Sequence, residues 1–310
     1  MGAGSSAVIA AAAIAACGGG SRSGLVLEHN GLLADRAFSK AVPTASLAPA
    51  FRLGGTAGLS NATVRAAADG LHVGVGPHRL GTWRGFFVAT AATYPAGAVI
   101  HVQMSRPPRA VPLKSQSGIA LLAVQTAASS YLDYVLVAGV VSRAHQSWLV
   151  GYANGSTTYA TTKPLDIMPS TSTGEDITLQ TDGRSRYTVF FGDRLVYRST
   201  RLTLNVAPPL RVYLEVEARG FAYQTQFRDF WVAASNAVTV EGLRRGDQVT
   251  LTPDGEPAVQ ARANTAGKAR LVLPLTEAVG KATITVDGSH HRRHFAHVAY
   301  AGGDIYQVQT

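Results

Sequence analysis

Two glutamates in the second half of the chain have the spacing that carboxyl chemistry requires. Glu215 and Glu217 stand two residues apart in the alternating stretch 211–217. On a β-strand both side chains project from one face, because successive side chains point to opposite sides. Glycoside hydrolysis uses two carboxyl groups that flank one bond. The pair is therefore a candidate for glycoside hydrolysis; the alternative is a solvent-facing strand side on which Arg211 or Arg219 neutralises the charge.

A second group of residues has the side-chain types that sugar binding uses. Trp148, Tyr152 and Tyr159 flank an Asn-Gly turn signal that begins at Asn154, and Gln146 lies close in sequence. Aromatic rings and a few polar donors and acceptors line many ligand sites. Trp148 and Tyr152 are four residues apart and share a strand face if no bulge intervenes. We predict that these five residues bind the ligand, with core packing of the aromatic rings as the alternative.

A second aromatic cluster is expected to serve the core. Trp83, Phe86 and Phe87 lie within five consecutive residues. A sandwich needs large aromatic side chains between its sheets, and we expect these three to pack there.

Metal sites have weaker support in the sequence. Four histidines fall within residues 290–297, but two arginines among them repel a divalent cation, and zinc needs three or four converging ligands. A solvated turn or a pH-sensitive basic patch fits this run better. Glu175 and Asp176 with Asp182 or Asp133 offer oxygen ligands for Ca²⁺, although no Asp-x-Asp loop is present. We predict no cofactor and no metal, with Ca²⁺ as the open alternative.

The charge distribution favours an anionic partner. Lys plus Arg number 28 and Asp plus Glu 19, a formal net charge of +9. Residues 71–132 contain no carboxylate at all. A field of one sign attracts acidic glycans or lipid headgroups, although it also serves solubility alone. No recognition-helix pattern, zinc-finger spacing or aromatic RNA-binding signature is present, which argues against nucleic acid. We expect a glycan or an anionic cell-envelope polymer as the partner.

The elements that position these residues are predicted to be strands. Apolar residues repeat every two positions, as at Val212, Leu214 and Val216, and Gly-containing turn signals recur. This pattern predicts an all-β chain with a boundary near residues 233–236. The segment 26–234 is long enough for a large sandwich. Residues 237–310 carry shorter strands, as in a small immunoglobulin-like sandwich without its cysteine pair.

The larger segment resembles a concanavalin A-like, or laminin-G-like, jelly roll. Four stretches carry the resemblance, at residues 69–73, 187–197, 209–217 and 227–232. The resemblance implies a jelly-roll sandwich with a carbohydrate-binding or glycan-hydrolysing tendency. Hydrolytic members carry Glu-x-Asp-x-x-Glu on one strand, whereas this chain has Gly220 at the position of the last carboxylate. Residues 237–310 resemble bacterial surface Ig-like modules.

The N-terminus resembles the signal of a bacterial lipoprotein. The only cysteine, Cys17, follows the apolar run 7–16 and precedes a Gly/Ser-rich stretch. The order Ile-Ala-Ala-Cys is similar to a lipobox, although no Lys or Arg precedes the apolar run. The resemblance implies a signal segment 1–17, acylation of Cys17 and a tether 18–25. An uncleaved hydrophobic anchor, a cytosolic protein and the loose myristoylation pattern at the start are the alternatives.

These observations together predict an exported protein, anchored at the cell surface through a lipid, that binds glycans through its jelly roll without catalysis. A structural subunit of a surface layer, filament or virion, which self-assembles, is the alternative. A glycoside hydrolase that uses Glu215 and Glu217 is the second alternative.

Overall fold

The computed structural model describes most of the chain after residue 23. The described residues are 24–28, 31–36, 38, 47, 49–105, 111, 113–127, 134–142, 146–153, 159–161, 174–182, 186–199, 206, 208–289 and 291–309.

The described residues form 23 strands and two short 3₁₀ turns, at Leu59–Asn61 and Leu275–Glu277. In chain order the strands are β1 (Leu25–Glu28), β2 (Leu32–Arg36), β3 (Phe51–Gly54), β4 (Ala62–Ala67), β5 (Gly70–Val75), β6 (Trp83–Thr90), β7 (Val99–Met104), β8 (Ser117–Thr126), β9 (Tyr134–Ser142), β10 (Gln146–Ala153), β11 (Tyr159–Thr161), β12 (Glu175–Thr181), β13 (Tyr187–Phe191), β14 (Arg194–Arg198), β15 (Leu210–Arg219), β16 (Tyr223–Ala233), β17 (Ala237–Glu241), β18 (Gln248–Pro253), β19 (Val259–Arg262), β20 (Ala269–Val272), β21 (Val279–Gly288), β22 (His291–Ala301) and β23 (Ile305–Val308). The predicted all-β fold is confirmed.

The larger sandwich consists of two mostly antiparallel sheets. One has seven strands in the order β11-β10-β9-β8-β15-β6-β3. The other has eight, in the order β14-β13-β12-β7-β16-β5-β4, with β2 paired to β16. Sequence neighbours are separated in both orders, as in β8-β15-β6, which is the arrangement of a jelly roll. Side chains from both sheets meet in one core that includes Phe86, Leu122, Val137, Ile177 and Phe227, all fully buried.

The central strand β15 shows how the alternating sequence builds this core. Val212, Leu214 and Val216 are at most 1% exposed and face the opposite sheet. Each such side chain contributes about 1.5–3 kcal/mol when it is fully buried. The intervening residues of β15 therefore project from the other side of the seven-stranded sheet, which we call the outer face.

The second sandwich packs the sheets β1-β23-β17-β20 and β19-β18-β21-β22 around its own core. Strand β1 pairs antiparallel with β23, with Leu25 opposite Val308. The structure therefore joins residues 25–28 to this sheet, whereas the predicted boundary counts residues 26–28 with the jelly roll. The boundary differs because β1 pairs with β23, which lies far away in the sequence, and no local sequence pattern predicts such a pairing. The two-domain division and the Ig-like assignment stay predictions.

The two sandwiches touch through a small apolar cluster. Val99, Phe190, Ala233 and Ala278 are buried together at this junction. The Thr188 hydroxyl also donates a hydrogen bond of 2.8 Å to a carbonyl of the second sandwich. Within the ranges that the structure describes, no helix has the length and hydropathy that crossing a membrane requires.

Candidate functional site

The structure removes Trp148 from the predicted ligand site. Trp148 is 1% exposed, and its ring packs edge-on against Phe191 with the centroids 5.4 Å apart. Strand β10 directs Trp148 and Val150 into the jelly-roll core, and Tyr152 follows the same face and is half-buried against that core. The prediction that Trp148 stacks on a ligand is therefore wrong, because its strand presents this face to the opposite sheet.

Of the other predicted residues of this group, the structure describes Gln146, Tyr152 and the backbone of Tyr159. Gln146 is half-buried at the start of β10. The backbone of Tyr159 belongs to β11, which pairs with β10. The Tyr159 side chain, Asn154 and the predicted lipidation residue Cys17 lie outside the described residues.

A different group of polar and aromatic residues meets on the outer face of the seven-stranded sheet. Strand β15 lies between β8 and β6, so residues from three strands adjoin there. We call this group the outer-face site, and its members are Trp83, Phe87, Gln125, Arg211, Tyr213, Glu215 and Glu217.

Strand β6 supplies the aromatic side of the site. Trp83 is 43% exposed, although the sequence pattern suggests a core position for it, and Phe87 is half-buried. Phe86 between them is fully buried, which confirms its predicted core position. Phe87 packs edge-on against Tyr213 with the ring centroids 5.3 Å apart. The alternation of β6 puts residues 83, 85 and 87 on the outer face, with Gly85 between Trp83 and Phe87.

The other end of the site holds one donor atom and one acceptor atom without partners among the described residues. Arg211 and Gln125 stand directly opposite each other on β15 and β8. The Gln125 amide nitrogen donates to the Tyr213 hydroxyl, and Arg211 Nη1 donates to the Ala127 carbonyl at 3.3 Å. Gln125 Oε1 and Arg211 Nε are buried and, in the part of the chain that the structure describes, have no hydrogen-bond partner. A buried polar group left unpaired costs about 1–3 kcal/mol.

The side chains of the two glutamates lie together over Gly85. Glu215 is 4% exposed, and Glu217 is half-buried. A Cβ atom on Gly85 would lie 3.1 Å from Glu215 Oε1 and 3.1 Å from Glu217 Cγ, so both side chains cover this glycine. Burial raises the pKa of Glu217, and its hydrogen bond with Glu215 partly opposes that shift. The two carboxyl groups thus contact each other.

This pair lacks the third carboxylate of the hydrolytic pattern. Gly220 follows the end of β15 with φ +73, a conformation that disfavours side chains. A Cβ atom there would lie 2.9 Å from the Leu80 Cα atom. Backbone geometry and space both oppose a glutamate at this position.

A cavity of about 490 Å³ lies where the two sandwiches meet. His101 and Trp231 stack there with centroids 4.9 Å apart, and His101 Nδ1 is 3.0 Å from the Thr178 hydroxyl. His101 Nε2 is 3.7 Å from an Asp229 carboxylate oxygen. Burial lowers the pKa of His101, while Asp229 and then Asp176 oppose the shift. No sequence signal marks this cavity, because its residues come from strands far apart in the chain.

Among the residues considered for Ca²⁺, the three that the structure describes, Glu175, Asp176 and Asp182, do not converge. Glu175 is 2% exposed on the core side of β12, whereas Asp176 projects from the opposite side and accepts a hydrogen bond from Gln103 at 2.9 Å. Asp182 accepts one from the Arg186 backbone at 3.0 Å, and Asp133 lies outside the described ranges. Across the described parts of the chain, no three His, Cys, Asp or Glu side chains gather as a metal site requires.

The basic run on β22 lies next to carboxylates of β21 and of the turn before β18. Arg292 Nε lies 3.1 Å from an Asp287 oxygen, and His291 Nε2 lies 3.7 Å from an Asp247 oxygen.

No known protein family matches the sequence, and no curated protein matches it. The chain is similar in structure to a protein of unknown function with a galectin-like fold from Bacillus subtilis, with 10% identity, a TM-score of 0.45, and coverage of 67% of this chain and 98% of that chain. It is similar to an immunostimulatory antigen and pseudo β-1,3-glucanase of Mycobacterium tuberculosis, with 10% identity, a TM-score of 0.44, and coverage of 66% and 100%. It is also similar to the potassium-bound carbohydrate recognition domain of Emp46p, with 10% identity, a TM-score of 0.42, and coverage of 68% and 99%. These similarities concern the fold alone, and the strand order itself identifies an all-β chain of the jelly-roll type.

Proposed function

We propose that this chain binds carbohydrate at the outer-face site without cleaving it. The observation that carries the proposal is the opposed pair Arg211 and Gln125, with an unpaired donor and an unpaired acceptor on neighbouring strands. A sugar hydroxyl both donates and accepts. A hydroxyl that reached both atoms would satisfy Gln125 Oε1 and Arg211 Nε together and offset the cost of their burial.

The aromatic side chains support the same ligand class. Trp83 presents an exposed ring at one end of the site, and Phe87 and Tyr213 form its middle. Aromatic faces with a few polar groups beside them are typical of ligand sites. The row from Arg211 to Glu217 spans about 20 Å at the usual rise of a strand, which fits an oligosaccharide better than a single sugar.

The arrangement of the carboxyl groups supports binding without cleavage. A retaining glycosidase holds its two carboxyl groups about 5 Å apart on either side of the reacting bond. Here the Glu215 and Glu217 side chains project together from one side of β15 over Gly85, and Gly220 stands where the hydrolytic pattern has its third carboxylate.

The alternative of assembly by strand addition has less support. Strand β23 is paired on both sides, by β1 and by β17, so residues 305–308 are not a free arm. The position at the cell surface, with an anchor at Cys17, is part of the proposal and is based on the sequence pattern alone.

A glycan array of the full chain in mild detergent tests the proposal. Gln125→Leu removes, at similar volume, the amide whose Oε1 has no partner among the described residues. We expect this variant to bind the best glycan of the array about tenfold more weakly or worse, because about 1.4 kcal/mol corresponds to tenfold. Gln180→Leu is the matched control, since Gln180 is a buried glutamine with an unpaired Oε1 on the other sheet. A chain that binds no glycan, or a Gln125→Leu variant that binds like Gln180→Leu, contradicts the proposal.

A further inference from the structure

We infer that the cavity between the two sandwiches is a second binding site, which takes an organic cation with an alkyl body beside Trp231 and Asp229. We call it the junction cavity, and its lining includes these two residues and His101. It shares no residue with the outer-face site, so this inference goes beyond the proposed function and does not depend on it.

The junction cavity has the size and the surface of a ligand site. Its volume is about 490 Å³. Sites for small molecules span about 300–1,000 Å³ and combine apolar walls with a few polar groups. The second sandwich supplies apolar lining from Leu27, Val279 and Ala299, and the jelly roll supplies most of the polar lining. The Asp229 side chain is 65% exposed, so the cavity is open to solvent on this side.

A bulge in β16 brings an aromatic ring and a carboxylate to the same histidine. The register of β16 against β7 shifts between Arg228 and Trp231, which inserts an extra residue into β16. Trp231 stacks on His101, and an Asp229 carboxylate oxygen lies 3.7 Å from His101 Nε2. On its other side, His101 Nδ1 is 3.0 Å from the Thr178 hydroxyl. The histidine thus holds the ring and the carboxylate next to each other at the cavity.

The lining of the cavity is acidic, although the chain as a whole is basic. The chain carries a net charge of +9, whereas the described lining residues include four aspartates and neither Lys nor Arg. Asp229 contacts His101, and Asp176 accepts a hydrogen bond from Gln103. Burial lowers the pKa of His101, so the imidazole is neutral near pH 7 and does not repel a cation. A positively charged ligand therefore suits this lining.

The described cations next to the cavity are directed at other groups. Arg228 precedes Asp229 in the chain, but its Nη2 donates to Gln226 Oε1 at 3.0 Å. Lys281 follows the lining residue Val279 by two positions, and its Nζ lies 3.8 Å from an Asp193 oxygen. Neither Arg228 nor Lys281 belongs to the described lining.

The arrangement of the carboxylates favours an organic cation over a metal ion. Within the described ranges, no three His, Cys, Asp or Glu side chains gather closely enough to hold a metal. A guanidinium group spreads its charge over several N–H donors, so it can bond carboxylates that do not converge. It also stacks on aromatic rings, and cations bind to the face of Trp in particular. Trp231 supplies the ring, and the apolar lining accommodates an alkyl body.

Titration of the full chain in mild detergent with butylguanidine and with butylurea tests the inference. The two probes have nearly the same shape, but only the guanidine is charged. The chain has three tryptophans, so isotope labelling of the indole nitrogens gives three NMR signals, and Trp231→Phe identifies that of Trp231. We expect butylguanidine to shift the Trp231 signal to saturation and to bind at least about fivefold more tightly than butylurea, because the charge strengthens both the hydrogen bonds and the contact with the ring.

The variant Asp229→Asn tests the carboxylate. Asp229 has φ +46, and Asn enters this left-handed region more readily than most residues, so the change does not strain the bulge. We expect butylguanidine to bind about threefold more weakly, as for the loss of one partly exposed charge, and butylurea to bind as before. Asp69→Asn is the matched control, because Asp69 is 54% exposed and contacts His72 on the same sheet but does not line the cavity. It removes the same charge and should leave both affinities unchanged.

Asp176→Asn is a second test of the acidic lining. It keeps an oxygen that can accept the hydrogen bond from Gln103, and it should weaken butylguanidine binding by a similar factor.

A Trp231 signal that does not shift to saturation, or equal affinity for the two probes, overturns the inference. Asp229→Asn and Asp176→Asn variants that both bind butylguanidine as Asp69→Asn does would overturn it as well. Each of these results leaves carbohydrate binding at the outer-face site standing, and a chain that binds no glycan leaves the junction cavity standing.

Discussion

Two tryptophans in the jelly roll should respond to substitution in opposite ways. Trp148 is 1% exposed and packs against Phe191, whereas Trp83 is 43% exposed on the outer face. Truncation of a buried aromatic residue to alanine costs about 3–5 kcal/mol, because both transfer energy and a cavity contribute. Trp148→Ala should therefore lose about that amount of stability. The folded Trp148→Ala variant should keep its affinity for the best glycan of the array, because Trp148 lies on the core side of its sheet.

Trp83→Ala should show the reverse pattern. Only part of its ring is buried, so we expect a stability loss below about 1 kcal/mol, as for most surface substitutions. A lost aromatic contact of about 0.5–1.5 kcal/mol lowers the affinity between about twofold and about tenfold.

Guanidinium unfolding of both variants measures the stability, and titration with the array ligand below the unfolding transition measures the affinity. Trp148→Phe keeps an apolar ring and removes the indole Nε1, which has no hydrogen-bond partner among the described residues. The Trp148→Phe variant should therefore lose clearly less stability than Trp148→Ala. A Trp148→Ala variant that stays as stable as the parent and loses the ligand would refute the burial argument and restore the original interpretation of Trp148.

Three further changes test separate parts of the structure. Burial lowers the pKa of His101, so its contribution to stability is complete above about pH 6.5 and is lost as the pH falls through the lowered pKa. His101→Phe should therefore flatten this part of the pH dependence of stability, measured by urea unfolding. An unaltered pH dependence in this variant would contradict the role of His101. Gly220→Ala should lower the free energy of unfolding by about 1–2 kcal/mol, because φ is +73 and the new Cβ meets the Leu80 backbone. The unfolding midpoint measures this loss, and an unchanged midpoint would show that the turn relaxes. Tyr213→Phe removes the hydroxyl that accepts a hydrogen bond from the Gln125 amide. We expect this variant, without ligand, to be about 1–3 kcal/mol less stable. Unchanged thermal unfolding would contradict this expectation.

Much of the fold was accessible from local patterns. The two-residue repeat of β15 predicted both its burial and the shared face of Glu215 and Glu217, and the structure has both. That inference needs only the geometry of one strand, because alternate side chains must point to opposite sides. The missing third carboxylate at Gly220 was equally visible in the sequence.

The candidate site was harder to predict, because the alternation of a strand does not say which of its faces meets the core. Both faces of β10 carry apolar residues, Trp148 and Val150 on one side and Leu149 on the other, so either side could have been buried. The indole lies inside because the seven-stranded sheet packs that side on its partner sheet. For the same reason Trp83 is exposed on the outer face despite its apolar neighbours.

By itself, the sequence determined an all-β chain and the identity of side chains that share a strand face, because those properties follow from neighbours along the backbone. Only the tertiary structure decided which residues stand opposite one another. Gln125 and Arg211 are separated by more than eighty residues and meet through the register of β8 and β15. Strand β1 reaches β23 across nearly the whole chain. Such pairings arise because the complete fold must bury both cores and pair its strands at the same time, a requirement that no short segment contains.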